Sequence, residues 1–569
     1  MISIIYAGNE DQSCAGAPSP SPHFLYYPSR RHVPAGVSAF IDMMRRETRS
    51  EDQAIVALDG TEAQAAVPAR DRGVWVLAAT IIASSMAFID MSVVNVALPV
   101  LQRSIGASFA EAQWIVEAYV LILAALTLAG GAMGDVYGRR RIFGLGILVF
   151  ALASAACGFA GSPPVLIVGR VFQGIGGAMM VPGSLALLAA SFPPDRRGKA
   201  VGLWSAASGV MVAVAPALGG WLIHALSWRW VFLINLPLAA VALLILAARV
   251  GESRRDGRRG IDAAGAALAT LGLGALTYGL IEAGRRSFLD PFALGPILVG
   301  LLVLGLFLAV EARSDNAMIP LPLFRRPLFA GIQAFTFLLW AALHGALFFV
   351  PFRLMQVQGF EPLEAGSALL PFVVMASVLS RWAGGLVDRH GPRAPLVAGS
   401  LLAGLGFLLL IVPDAAAGYV GFLPGLVVAG IGIGLSAAPV TVVALNSAGA
   451  EHVGVASAVN NMVARVGGLI AIAVFGLVLA GRFDARLDRS LPALSLPPAA
   501  TAAMQAERAK LAGATLPPGL PPAQQASLRG AIDDAFIDGY RWAMGLAAAL
   551  AFASTGIAVI SLGRRSPGA

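Results

Sequence analysis

Residues 131–141 read GAMGDVYGRRR, a short polar turn between two long apolar runs. Two helices that leave a bilayer and re-enter it within about ten residues need glycines for close backbone approach and a turn that reverses the chain. Gly131, Gly134 and Gly138 meet that need. Asp135 faces Arg139, Arg140 and Arg141 across the turn, and an arginine cluster beside a membrane helix belongs on the cytoplasmic side. A second, weaker copy, GGLVDRHGPR, runs from Gly384 to Arg393, where Asp388, Gly391 and Arg393 repeat Asp135, Gly138 and Arg140. The chain therefore reads as an internal duplication.

Composition agrees with a membrane reading. Of 569 residues, 57% are hydrophobic and 13% charged, and the mean hydropathy is +0.76, far too apolar for a soluble globule. The net charge of +8 sits mostly on arginines in short loops, which speaks for topology and anionic lipid contact and against nucleic-acid binding. Cys14 and Cys157 are the only cysteines, so no disulfide framework and no metal site is expected. There is no nucleophile with its base and no phosphate-cradling loop with Lys and Ser or Thr, so neither an enzyme nor an ATP-driven pump is expected, and no cofactor.

Apolar runs long enough to cross the hydrocarbon core as helices recur at 74–99, 110–133, 142–160, 164–190, 199–223, 230–249, 262–282, 292–311, 329–351, 363–386, 394–412, 418–444, 454–480 and 540–561. Lys and Arg gather in the loops that fall on one side when both termini are cytoplasmic. The expected architecture is an all-α membrane protein of fourteen transmembrane helices, two related six-helix bundles plus two inserted central helices. Its parts are a disordered cytoplasmic N-terminal tail (1–72), an N-terminal bundle (73–249), a two-helix insert with flanking loops (250–328), a C-terminal bundle (329–561) and a cytoplasmic tail (562–569). The C-terminal bundle includes an extracytoplasmic loop, 482–539, with two short helical patterns, Ala502 to Leu511 and Ala523 to Phe536. The glycine runs at Gly174 and Gly430 read as close helix packing.

Charges within spans are costly and mark functional candidates. Counted at about 1.5 Å per residue, Asp90, Glu117 and Arg170 fall in one layer on three helices. The sequence leaves two readings open: a buried ion pair that fixes packing, or a proton-titrating site in which Arg170 holds a carboxylate ionised. Glu117 either shares protons with Asp90, receives a cationic substrate, or is hydrated in an outer vestibule. Asn95, Trp114, Tyr119, Gln173, Trp340, His344 and Arg465 are candidates for lining a substrate cavity.

The turn at Gly131 resembles the loop between the second and third spans of the major facilitator superfamily. FIDMSVVNVALP at Phe88, GRVFQGIGGAMMVP at Gly169 and WRWVFLINLP at Trp228 are similar to signatures of its fourteen-span, EmrB/QacA-like drug:proton antiporter branch. The antiporter segment of the fifth span reads VAPALGG here, with Ala215 in place of the first glycine while Pro216, Gly219 and Gly220 remain. The resemblance covers residues 74–481 and 540–561. It implies proton coupling at Asp90 and Arg170, joined here by Glu117, a cytoplasmic gate at Gly131, Asp135, Gly138, Arg139, Arg140, Asp388 and Arg393, and alternating access.

The function so implied is secondary active multidrug efflux: protons exchanged for lipophilic, often cationic compounds across the bacterial cytoplasmic (inner) membrane. The expected partners are drugs, protons, the lipid bilayer and a periplasmic adaptor protein. A dedicated exporter of one metabolite or lipid, and a non-transporting scaffold or receptor, are the competing expectations.

Overall fold

The computed structural model describes residues 69–253, 262–314, 317, 319–449 and 453–562. The tails expected at 1–72 and 562–569 lie almost wholly outside the described residues. The first six helices are α1 (Ala69–Ser104), α2 (Phe109–Tyr137), α3 (Arg139–Gly158), α4 (Pro163–Ser191), α5 (Pro194–Ala225) and α6 (Trp230–Arg249). The insert gives α7 (Ala263–Arg285) and α8 (Pro291–Glu311). Next come α9 (Pro327–Phe352), α10 (Pro362–Ala368 continued by Leu370–His390), α11 (Arg393–Leu409), α12 (Tyr419–Ala448), α13 (Val453–Ser490) and α14 (Pro522–Leu562). Among the described residues, thirteen helices are long and apolar enough to cross a membrane, and α11 is a shorter apolar helix at the position expected for the remaining span.

The helix starts follow local chemistry. Pro163, Pro291, Pro327 and Pro362 occupy first-turn positions, where a missing N–H costs nothing. Ser108 and Glu111 form a reciprocal capping box at the start of α2, and Asp262 and Asp290 cap α7 and α8. Each satisfies backbone donors that a helix end leaves free.

Packing repeats between the halves. In the first, α4 is gripped by α2 and α3, and α1 lies on α5 and α6; in the second, α12 is gripped by α10 and α11, and α9 lies on α13 and α14. Gly176 of α4 meets the α3 backbone at Gly146 and Phe150, and Gly432 of α12 meets the α11 backbone at Gly399 and Ala403. Both sites have room only for hydrogen, the close approach that small residues give in membranes. The insert is a hairpin: α7 packs on α8, α2 and α13, while α8 turns Leu298, Leu302 and Leu306 outward, the aspect of a lipid-facing helix.

The expected extracytoplasmic loop differs from its sequence reading. α13 runs on to Ser490 and α14 begins at Pro522, so both flanking spans extend far past the apolar runs at 454–480 and 540–561. What remains is a strap, residues 491–521, holding one short helix, Pro498–Glu507, and two 3-10 turns. The expected pattern at Ala523 to Phe536 is the polar start of α14. Apolar runs mark bilayer-depth segments only, and these extensions carry charges such as Asp484, Arg486 and Asp533.

At the strap end of the bundle the halves are sealed against each other. Phe109 packs with Phe348, Phe349 and Phe352 at centroid distances of 6.3, 5.9 and 5.6 Å. Gln356 donates to Gln102 at 2.8 Å, and Gln102 donates to Lys510 O at 3.1 Å.

Candidate functional site

Asp90 (α1), Arg170 and Gln173 (α4) form a polar network inside the first half, every member fully buried or nearly so. Arg170 Nη1 donates to Asp90 Oδ2 at 2.5 Å and to Gln173 Oε1 at 2.8 Å, and Nε donates to Ile115 O at 2.8 Å. Gln173 Nε2 donates to Asp90 Oδ1 at 3.1 Å and to Ser154 Oγ at 2.7 Å, and Asn235 extends the chain to Ser154 at 3.3 Å. The guanidinium lies 4.3 Å from the Tyr119 ring centre. Burying an ion pair is tolerated only when its remaining donors and acceptors are met; Gln173, Ser154 and Ile115 O meet most of them here, while Asn235 Oδ1 at the edge of the network has no partner among the described residues.

Glu117 stands apart. It is fully buried, and neither carboxylate oxygen has a hydrogen-bond partner among the described residues. The sequence places it in the layer of Asp90 and Arg170, but depth along a helix says nothing about direction. Tyr119, two residues on, faces Arg170, and two residues of α-helix turn the side chain by about 200°, so Glu117 points toward α7 and α13.

The profile described as Major Facilitator Superfamily matches residues 80–472. The chain belongs to that superfamily. It is a multi-pass membrane transporter and not an enzyme. The "Multidrug resistance protein Stp" of Mycobacterium tuberculosis is 35% identical over 73% of this chain and 77% of its own length. The "Tetracenomycin C resistance and export protein" of Streptomyces glaucescens is 33% identical over 85% of this chain and 91% of its own. Among solved structures, a bacterial homolog to the human lysosomal transporter Spinster, in an inward-facing and unoccupied conformation, aligns with a TM-score of 0.61 at 18% identity, covering 88% of this chain and all of that one.

The turn at Gly131 forms a braced reversal, with Val136 between its acid and its glycine. Asp135 accepts from Arg139 Nε at 2.9 Å and Nη2 at 2.8 Å. Gly138 has φ +108° and Gly391 φ +74°, so both copies of the duplicated loop reverse through a conformation that favours glycine. A methyl added at Gly131 would reach van der Waals contact with Pro182. Arg140 Nη2 donates to Ala247 O at 3.1 Å, and Arg393 is exposed at the start of α11. Asp388 lies in the last turn of α10, and its side chain lies outside the described residues.

Glu252, just past α6, is the partner that sequence reading missed. Its carboxylate accepts from Arg140 N at 3.0 Å and Arg141 N at 3.2 Å, capping α3. An acid at a helix N-terminus satisfies orphan N–H groups and complements the helix dipole. The only sequence signal is an acid following a span, too common to single out.

In the VAPALGG segment of α5, a side chain on Gly219 would enter Val93 of α1, and one on Gly220 would enter the backbone of Pro362 in α10; Pro216 O lies against Gly366. The motif thus joins α5 to α1 and, across the halves, to α10.

The cavity candidates divide. Gln173 belongs to the Asp90 network. Trp114 lies 6.3 Å from Tyr278 on the inserted α7. Tyr119 donates to Ala87 O at 3.4 Å and is near enough to Arg465, from the other half, for an electrostatic interaction; Arg465 Nη1 is buried without a hydrogen-bond partner among the described residues. His344 Nδ1 lies 2.9 Å from Trp340 O, and Arg465 also acts on it electrostatically. Asn95 is half-buried on α1, with Oδ1 unpartnered.

Proposed function

We propose that this transporter is a secondary active multidrug exporter that exchanges protons for lipophilic, often cationic compounds by alternating access. Its place is the bacterial cytoplasmic membrane, with the Arg139–Arg141 turn and both termini on the inside and the strap outside. The observation that carries the reading is the buried Asp90–Arg170–Gln173 network: a carboxylate held by a guanidinium and an amide can exchange that bonding for a proton. Tyr119 and Arg465 bridge from this network toward the opposite half, where a substrate between the halves would meet it. The seal at the strap end fits one end state of the cycle, closed to the outside, with α5 and α10 rocking apart at Gly220 and Gly366 in the other. Asp135, Arg139 and Glu252 hold the inner turn.

The names of the relatives support drug export. Their range of compounds also favours a second reading, a dedicated exporter of one antibiotic-like compound, because a relative named for tetracenomycin C alone spans 85% of the chain. A panel of lipophilic dyes and antibiotics, assayed for efflux from vesicles under an imposed proton gradient, decides between them. Activity across the panel supports multidrug export, a single responder supports the dedicated exporter, and no gradient-driven movement of any compound opposes both.

A further inference from the structure

Helices α2, α7 and α13 meet along one seam. At its inner part Leu121, Leu273 and Leu469 pack together, and at its outer part Ala110, Ile281 and Ala473 do so with Trp114 beside them. Between these apolar knots, helical spacing puts Glu117 on the α2 face of Trp114 and Leu121, and Thr277 on the α7 face of Leu273 and Ile281. Both residues are completely buried. Among the described residues, neither oxygen of Glu117 nor Thr277 Oγ1 has a hydrogen-bond partner. A lone carboxylate there is strongly disfavoured as an anion, and a protonated one can hydrogen-bond with a hydroxyl.

One turn outward from Glu117, Gln113 donates to Ile472 O at 2.9 Å. Gln113 also lines a partly open cavity of about 260 Å³ between α2, α7, α13 and the strap. Ser108, Arg285, Asp484 and Arg508 give that cavity polar walls, and its volume holds several waters. The strap is tied over it by Arg508, which pairs with Asp484 and, at 2.8 Å, with Asp488.

We propose that this cavity is a proton port: water entering from the strap side delivers protons past Gln113 to Glu117, a second proton site separate from Asp90 and Arg170, with Thr277 as hydrogen-bond partner of the protonated acid. The inference rests on the proton-coupled reading above and extends it to the insert. It gives α7 a role, because the insert supplies Thr277 and one wall of the port. Other ionisable groups on the packed helices have their own neighbours: Tyr278 lies against Trp114, Glu282 binds Arg285 and Arg286, Asp484 binds Arg508, and Arg465 lies near Tyr119.

The test uses the full-length transporter in liposomes and dicyclohexylcarbodiimide, a membrane-permeant reagent that modifies protonated carboxyl groups in apolar surroundings. Peptide mass spectrometry reads the modification at Glu117 and at Asp90 separately while the pH of each compartment is varied alone. The expected result is that Glu117 labelling follows the pH on the strap side, by up to about tenfold per unit, and ignores the other side. Gln113→Leu, which removes the polar gate, should abolish that dependence while leaving the labelling of Asp90 unchanged. Glu117 labelling that follows the opposite compartment, that Gln113→Leu leaves untouched, or that is absent at every pH overturns the proposal. Drug transport is not part of the readout, so a negative result here is distinct from failure of the proton-coupled export reading.

Discussion

Arg170 Nη1 lies 2.5 Å from Asp90 Oδ2, with both side chains at most 1% exposed. The pair is asymmetric in its dependence. Arg170 has further acceptors in Gln173 and Ile115 O, and Asp90 has one further donor, Gln173. Removing the arginine therefore strands a buried carboxylate.

Arg170→Ala should lower stability by about 3–5 kcal/mol, the range for breaking a buried pair from one side. Arg170→Lys should fold better yet transport at least tenfold more slowly, because a single ammonium cannot reproduce the guanidinium fork. Thermal unfolding of purified protein, beside drug efflux, checks both.

Much of this site was legible from residue types. Asp90 and Arg170 announced themselves as charges at one depth, and Gly138 and Gly391 as glycines at matching places in a repeated turn. What the sequence could not supply was azimuth and partnership. Glu117 shares the layer of Asp90 but faces the insert, a fact fixed by which helices pack around α2. Gln173, expected at the substrate cavity, bonds Asp90, and Ser154, itself bonded by Asn235, reaches it only once α3, α4 and α6 are packed. The extension of α13 to Ser490 was hidden because polar helix carries no span signal, and the helical pattern at Ala523 to Phe536 gave no sign that it runs unbroken into the last span.

The two turn glycines should respond unequally. Gly138→Ala meets both an unfavourable positive φ and the Glu252 carboxyl, whose carbon would lie 2.7 Å from the new methyl, whereas Gly391→Ala meets open space. Strain of about 1 kcal/mol is expected at Gly391 and more at Gly138, where displacing Glu252 also uncaps α3. Comparing the melting temperatures of the two variants tests the order.

Asp135→Ala should slow turnover while leaving drug affinity within about twofold, because its partner Arg139 braces one conformation of the inner turn and not the cavity. Binding titrations beside transport rates separate the two quantities. Weakened binding at unchanged turnover would contradict the bracing role.

Gly366→Val should hold the strap end apart, since a side chain there enters the backbone of Pro216 and Ala217. Transport should be lost while the protein still inserts. Spin-label distances between α5 and α10 should lengthen relative to the parent, and unchanged distances would show that this contact does not set the seal.

The strap should loosen in acid. Burial pushes the Glu507 carboxyl up, but hydrogen bonds from Lys510 and Thr515 outweigh it and hold the group below its ordinary value of 4.5. A depressed folded-state value contributes stability above the unfolded value and loses it as pH falls through the folded one. Protease cleavage within 508–521 should therefore rise only below about pH 4.5, and Glu507→Gln should be cleaved readily at neutral pH.

The central claim, that export is driven by protons taken up and released at Asp90, is tested most directly in liposomes carrying the wild-type transporter or Asp90→Asn, with drug uptake and internal pH followed together. The account predicts that the wild type moves drug against its gradient as protons flow the other way, and that Asp90→Asn still binds drug but moves neither. Full uphill transport by Asp90→Asn at the same proton gradient would contradict it.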